Sequence, residues 1–292
     1  MELNERPLHP LFAAEAPPFP LFAPGAAAAI RAAMDRHAVL VLRGQALTDE
    51  AQVAFSRQFG PLELPPSLNV RTAAQVRRVG EGIFDVSNLD ASGAIEPPTS
   101  PRRRFGKADQ MFHTDSSFHA LPTSWSLLSA RIVPPQGGET EFVDLRAAWD
   151  ALPAELKAAA EGRSAWHSIW HSRAKAGFDL PEQTVQDRLP PVLQPLVRLA
   201  ADGRRTLYLG SHAMRIEGME AAESDAVLDA LHDFATQDRF VYRHHWQPDD
   251  LLIWDNRCTL HRATPFDDLN EKRDMRRTTI QESGIETSAV AA

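Results

Sequence analysis

The chain of 292 residues contains a single cysteine, Cys258, and only 2 tyrosines. One thiol cannot close an internal disulfide, and it excludes a cysteine-rich zinc site, so a reducing cytoplasm is the expected compartment. There is no surplus of positive charge either. The 39 acidic and 31 basic residues leave a net charge of -8, which removes any general attraction to nucleic acid or to an anionic membrane. The densest basic clusters, Arg102 to Arg104 and Lys272 to Arg277, are short. No stretch approaches the roughly 18 uninterrupted apolar residues of a membrane span. Near the start, Glu2 and Glu5 stand where a secretory leader would carry basic residues. These absences point to a soluble cytoplasmic protein whose partner is a small molecule. What is present, 43% apolar and 24% charged residues, is ordinary for a globular chain and compatible with one domain over 1–292.

Periodicity gives the order of elements. The alanine-rich stretch 26–38 predicts a helix, VLVLRG at 39–44 a short buried strand, and Thr48 the cap of a second helix closed by Gly60-Pro61. A strand is predicted at 84–89. The segment 90–112, with Pro97, Pro98, Pro101 and three consecutive arginines, reads as an irregular lid or binding loop. Strands are expected at 124–134 and 139–145, joined by the turn PPQGG, followed by helix over 146–162 interrupted at Pro153. RSAWHSIW at 163–170 reads as a strand leading into a polar insert over 171–191. The C-terminal third gives strands at PLVRL and TLYLG around the turn 201–203, a helix over 220–236, and strands at RFVYRHHW, LLIW and RRTTIQES. Many short strands with fewer helices predict a mainly β fold with flanking helices (α+β), built on a jelly-roll-like barrel.

Chemistry concentrates in MFHTDSSF at 111–118. On an extended strand the side chains of His113 and Asp115 share a face and can converge on one ion. Two histidines and one carboxylate occupy one face of an iron(II) ion and leave the opposite positions free for ligands and dioxygen, so a third ligand is required. His261, just beyond the apolar LLIW run, is the best candidate, although a satisfied structural histidine fits the pattern as well. In KRDMRRTTI at 272–280, Arg273 and Arg277 are four apart and share one strand face, while Arg276 points the other way. Each guanidinium can hold a carboxylate through two parallel hydrogen bonds. A solvated charged edge strand is the alternative reading.

The pieces HTDSSF, PPQGGETEFVDLRAAWDALP, GSHAMRIEGM, FVYRHHW, WDNRCTLHR and KRDMRRTTI, preceded by PLHPLFAAE, follow one another in this order over nearly the whole chain. In that combination the chain resembles the iron(II)- and 2-oxoglutarate-dependent dioxygenases of the taurine dioxygenase/2,4-dichlorophenoxyacetate dioxygenase (TauD/TfdA) family, particularly the phenoxyacetate-degrading branch. The resemblance implies a double-stranded β-helix, with His113, Asp115 and His261 as iron ligands and 2-oxoglutarate and dioxygen as cosubstrates. It implies that Arg273, assisted by Thr140, binds the distal carboxylate of 2-oxoglutarate, and that Arg277 and His212 face an anionic primary substrate. Trp254 and Phe112 would pack around the metal ligands. Homo-oligomers are common in the family.

Three departures bear on the substrate. Phe112 replaces a tryptophan usual in the branch, the segment 195–203 is short and lacks a histidine after Arg198, and Asn69 stands where a basic residue is expected. They leave two rivals beside aryloxyacetate cleavage: a taurine, alkylsulfonate or other carboxylate dioxygenase, and a non-catalytic jelly-roll metal-binding protein. A thiol nucleophile at Cys258 has no supporting partner.

Overall fold

The apolar run Leu251–Asp255 is buried along its whole length because both of its edges are occupied. It pairs antiparallel with Val39–Leu42 on one side and with Thr123–Ile132 on the other. The computed structural model describes residues 1–64, 78–200 and 202–282. These strands form the centre of a seven-stranded sheet in the order Arg6–Pro7, Ala14–Ala16, Val39–Leu42, Leu251–Asp255, Thr123–Ile132, Asp274–Gln281, Phe84–Ser87. A second sheet of three strands has Thr140–Asp144 between Val241–His244 and Thr259–Ala263.

Alternation along these strands divides the core into layers. Val39, Val41, Leu128, Trp254 and Met275 of the large sheet meet Phe142 of the small one, an apolar layer between two sheet faces. On the outer face of the large sheet, Leu127, Ile253 and Ile280 pack against Ile30, Met34 and Phe55 of the helices Ala26–His37 and Asp49–Ser56. The far side of the small sheet, with Val143 and Leu260, is covered by helices Leu145–Ala151 and Ala221–Ala235. Thr48 caps its helix by accepting a hydrogen bond from the Ala51 amide at 3.1 Å. Among the described residues, no helix is long and apolar enough to cross a membrane.

Three local expectations are corrected. The strand predicted over 163–170 ends at His167, where Ser168 caps a helix, Ile169–Lys175; the supposed polar insert is therefore partly helical, with a second short helix at Gln183–Gln186. The segment 90–112 is not an irregular loop throughout. Ser100 caps a helix Pro101–Gly106, proline in its first turn needs no amide partner, and a 3-10 turn Lys107–Gln110 follows. Two of its three arginines hold it down: Arg102 donates to the Ser87 and Leu89 carbonyls, and Arg103 to that of Glu96. Finally, His113 and Asp115 do not lie on a strand; the structure brings them together differently, as described next. Asn69 and Ala201 fall outside the described residues.

Candidate metal and anion-binding site

His113 and His261 exchange both backbone hydrogen bonds, at 3.0 and 2.8 Å, as a single antiparallel bridge. A pair joined in this way holds its side chains abreast, and the two imidazole centroids lie 4.2 Å apart. The chain then turns at once. Ser116 adopts a left-handed φ of 56°, so the chain turns away directly after Asp115 instead of continuing as a strand. Gly210 makes this close packing possible: a Cβ there would stand 3.1 Å from the His113 Cα and 3.0 Å from Leu260 Cδ2, at a φ of 132° that favours glycine.

The Nε2 atoms of His113 and His261 lie 4.0 and 3.8 Å from the Asp115 carboxylate. One ligand atom from each residue falls within 4.8 Å of the others. His113 Nδ1 is 2.8 Å from the Met111 carbonyl, which places the proton on Nδ1 and leaves the Nε2 lone pair free. Burial, reinforced by His113 and Arg277, holds His261 well below the usual histidine range and therefore neutral. Two imidazoles and one carboxylate, buried with their ligand atoms converging, fit a divalent metal with a 2-His-1-carboxylate ligand set.

A supporting shell orients the carboxylate. Ser126 Oγ donates to Asp115 Oδ2 at 2.7 Å, and Asn256 Oδ1 accepts from the Asp115 amide at 3.2 Å. Asn256 also donates to Ser126 and accepts from Trp254 Nε1, both at 2.9 Å. The Trp254 ring packs 4.7 Å from that of His261. Ser126 and Asn256 were not singled out in the sequence. Asn256 lies within WDNRCTLHR, but nothing in its spacing distinguishes it from any buried amide, and Ser126 lies on a neighbouring strand far from the motif.

The basic strand presents its arginines as parity requires. Arg276 lies on the outer face beside Asp274 and Asp49, whereas Arg277 turns inward and donates to Asp115 Oδ1 at 2.5 Å. Arg273, just before the strand, is fully enclosed: its Nε donates to the Gly138 carbonyl at 3.2 Å. Among the described residues no carboxylate lies within ion-pair range of it. Burial lowers its pKa to about 10, with the field of Asp109 acting in the opposite sense. An enclosed guanidinium without a counterion is costly unless an anion from outside completes it. Gly138 keeps that space open, since a Cβ there would meet Pro134 Cγ at 2.9 Å and Arg273 Cδ at 3.4 Å. Thr140 is buried, and its Oγ1 accepts from Trp246 Nε1 at 3.0 Å, so its own hydroxyl proton remains to be donated.

His212 is buried with its ring 5.9 Å from that of His113 and 4.9 Å from that of Phe118. Burial, with His113, Arg173 and His167 nearby, keeps it neutral, and its Nδ1 has no protein partner. Phe112 lies under the guanidinium of Arg262, 4.2 Å from ring centre to Cζ, and packs into the helical side of the core. Cys258 is fully enclosed and its thiol is pushed well up by burial, the setting of an inert core residue.

Comparison with known proteins agrees with this geometry. Residues 4–279 match the family described as taurine catabolism dioxygenase TauD, TfdA family. The chain is 39% identical over 289 residues to the alpha-ketoglutarate-dependent 2,4-dichlorophenoxyacetate dioxygenase of Cupriavidus pinatubonensis, covering 98% of this chain and 100% of the relative. It is 36% identical to the (S)-phenoxypropionate/alpha-ketoglutarate-dioxygenase of Sphingobium herbicidovorans, over 90% of this chain and 88% of the relative. Among solved structures it is similar to AAD-2 in complex with Mn(II) and N-oxalylglycine, with a TM-score of 0.91, 40% identity and coverage of 97% and 99%. A taurine dioxygenase from Burkholderia xenovorans is similar at a TM-score of 0.76 and 29% identity, with coverage of 97% and 90%.

Proposed function

The chain belongs to the TauD/TfdA family of dioxygenases, and from that premise we propose that it is an iron(II)- and 2-oxoglutarate-dependent dioxygenase that cleaves aryloxyacetates. The observation behind this reading is that the His113, Asp115 and His261 group is met by the inward guanidinium of Arg277, while Arg273 is enclosed with no counterion among the described residues. In this reading His113, Asp115 and His261 hold the iron, and the fold around them is a double-stranded β-helix that uses the whole chain as one domain. Relatives acting on 2,4-dichlorophenoxyacetate and phenoxypropionate support the substrate class. A cytoplasmic homo-oligomer, working on a small anionic molecule and not on nucleic acid, completes the proposal.

When bound, iron supplies the activation of dioxygen, with 2-oxoglutarate decarboxylated to succinate and carbon dioxide. This chain's residues supply position. Arg273 receives the distal carboxylate of 2-oxoglutarate in a bidentate pair, and Thr140 adds a hydroxyl donor whose direction Trp246 sets. Arg277 and His212 orient the primary substrate so that the carbon between ether oxygen and carboxylate faces the metal ligands. Hydroxylation there, using one oxygen atom of dioxygen, gives a hemiacetal whose C–O bond breaks to release a phenol and glyoxylate. The other oxygen atom leaves in succinate. Phe142 and Trp254, stacked around His261, keep water from the buried side of the ligands.

The test follows succinate formation and oxygen uptake by the iron(II)-loaded protein with 2-oxoglutarate and, in turn, 2,4-dichlorophenoxyacetate, a 2-aryloxypropionate and taurine. The expected result is succinate matched by an equal yield of phenol. Acceleration by taurine alone would replace the substrate assignment. No succinate, with iron demonstrably bound, would favour a metal-binding protein without oxygenase activity.

A further inference from the structure

Arg173 lies on helix Ile169–Lys175, whose entry is tied to the site through the hydrogen bond from the Ser168 amide to the His212 carbonyl at 2.9 Å. Only 10% of its side chain is exposed. The guanidinium stacks over Phe105, 4.2 Å from ring centre to Cζ. Among the described residues it has one carboxylate partner, Asp109, at 3.3 Å, and that carboxylate is itself 44% exposed on the 3-10 turn Lys107–Gln110. Its Nε is buried with no hydrogen-bond partner among the described residues. The group is within electrostatic reach of the site, since Arg277 and Asp115 are among the charges acting on it and it is among those acting on His212. A buried guanidinium with one loose, half-solvated counterion and an unused donor is incompletely satisfied.

We propose that Arg173 is a specificity-determining residue, a second cation that receives the anionic end of the primary substrate beside Arg277, with Asp109 as the resident anion that the substrate displaces. The inference rests on the function proposed above, which places a carboxylate next to Arg277. Its chemistry has three parts. Two guanidiniums share one carboxylate more readily than one can hold it, because each supplies a different pair of donors. Phe105 fixes the plane of Arg173, so little rotamer freedom remains to be lost when an anion arrives. Asp109 competes for the same donors and thereby discriminates against neutral molecules: only a ligand carrying negative charge replaces what it removes.

The experiment is calorimetric titration of the anaerobic protein, loaded with iron(II) and 2-oxoglutarate, by phenoxyacetate, by its neutral amide and by a short alkylsulfonate. Wild type, Arg173→Gln, Arg173→Lys and Asp109→Asn are compared, with KM and kcat measured in parallel. Arg173→Gln is expected to weaken binding of the acid about 10- to 100-fold, raising KM more than it lowers kcat and leaving the amide unaffected. Arg173→Lys should restore part of the loss. Asp109→Asn, on a half-exposed side chain whose removal leaves the fold intact, should tighten the acid several-fold. Acid binding unchanged in Arg173→Gln, or acid and amide weakened equally, overturns the proposal while the dioxygenase reading stands. Failure of wild type to bind or turn over any aryloxyacetate overturns that reading instead. The sulfonate then tests Arg173 by the same comparison, since the pairing depends on charge and not on the ring, and a sulfonate indifferent to Arg173→Gln overturns the inference as well.

Discussion

Two histidine and carboxylate clusters are buried in this molecule, and they are opposite in construction. At the first, His244 uses both ring nitrogens: Nδ1 meets the Tyr242 hydroxyl at 3.0 Å and Nε2 meets Asp250 at 3.1 Å, while Arg43 pairs with the same carboxylate at 2.6 Å. At the second, His113 has only Nδ1 engaged, His261 Nδ1 has no partner, and both Nε2 atoms face Asp115 across 3.8 to 4.0 Å. Each brings buried histidine and aspartate side chains together. The difference lies in which lone pairs remain unused, and it separates a structural histidine from a ligand. Satisfied polar groups stabilise the fold; converging unsatisfied ones await an ion.

The sharpest break of this comparison is His261→Ala against His244→Ala. The first should abolish metal uptake and lower turnover by a factor of at least about 10³, with thermal stability little changed, measured by metal content and succinate yield. The second should retain metal while losing about 2–4 kcal/mol of stability in denaturant unfolding, because Asp250 and Tyr242 are left without their partner. Equal metal loss in both would erase the distinction.

Next in size is Arg273→Ala, which removes an enclosed cation that has no counterion among the described residues. Binding of 2-oxoglutarate, followed anaerobically, should weaken by about 2–4 kcal/mol, roughly 30- to 1,000-fold. Retained affinity would mean that Arg273 is merely structural, like Arg43.

A further buried histidine makes stability depend on acid. Burial, aided by Arg198, lowers the His167 pKa from 6.5 to about 3, so the folded state keeps it neutral where the unfolded chain takes a proton. Its contribution is complete above about pH 6.5 and declines as pH falls toward 3, by up to about 1.4 kcal/mol per pH unit. Denaturant unfolding at pH 7.5 and 5.5 should show this loss, and His167→Asn should reduce it. The smallest expected effect is that of Trp246→Phe, which deletes the donor to Thr140 and should raise the KM for 2-oxoglutarate several-fold, about 1 kcal/mol, without moving kcat.

How much of this was legible depends on the range of the interaction. The apolar run at 251–254, the Thr48 cap and the parity that separates Arg276 from Arg277 are local properties, visible in spacing. Ser126 was not legible, because its role arises from tertiary packing that sets its hydroxyl 2.7 Å from the carboxylate of Asp115, which lies on a turn outside the strand. The strand expected at 163–170 failed at Ser168, where a hydroxyl cap outweighed the β-forming tryptophans around it. The lid expected at 90–112 proved to contain two helical turns, held where Arg102 donates to the Ser87 and Leu89 carbonyls and Arg103 to that of Glu96.

By itself, the sequence determined the inventory: two histidines, an aspartate and paired arginines, on segments whose periodicity set their local form. Tertiary structure alone decided which of them meet. The bridge that sets His113 beside His261 joins positions nearly 150 residues apart, and hydrogen bonds from Ser126 and Arg277 hold the Asp115 carboxylate near them. Enclosure then left Arg273 without a counterion among the described residues and His261 neutral. Local propensity acts over a few residues, whereas the free lone pairs and unpaired charges of a site depend on what the rest of the chain has already satisfied.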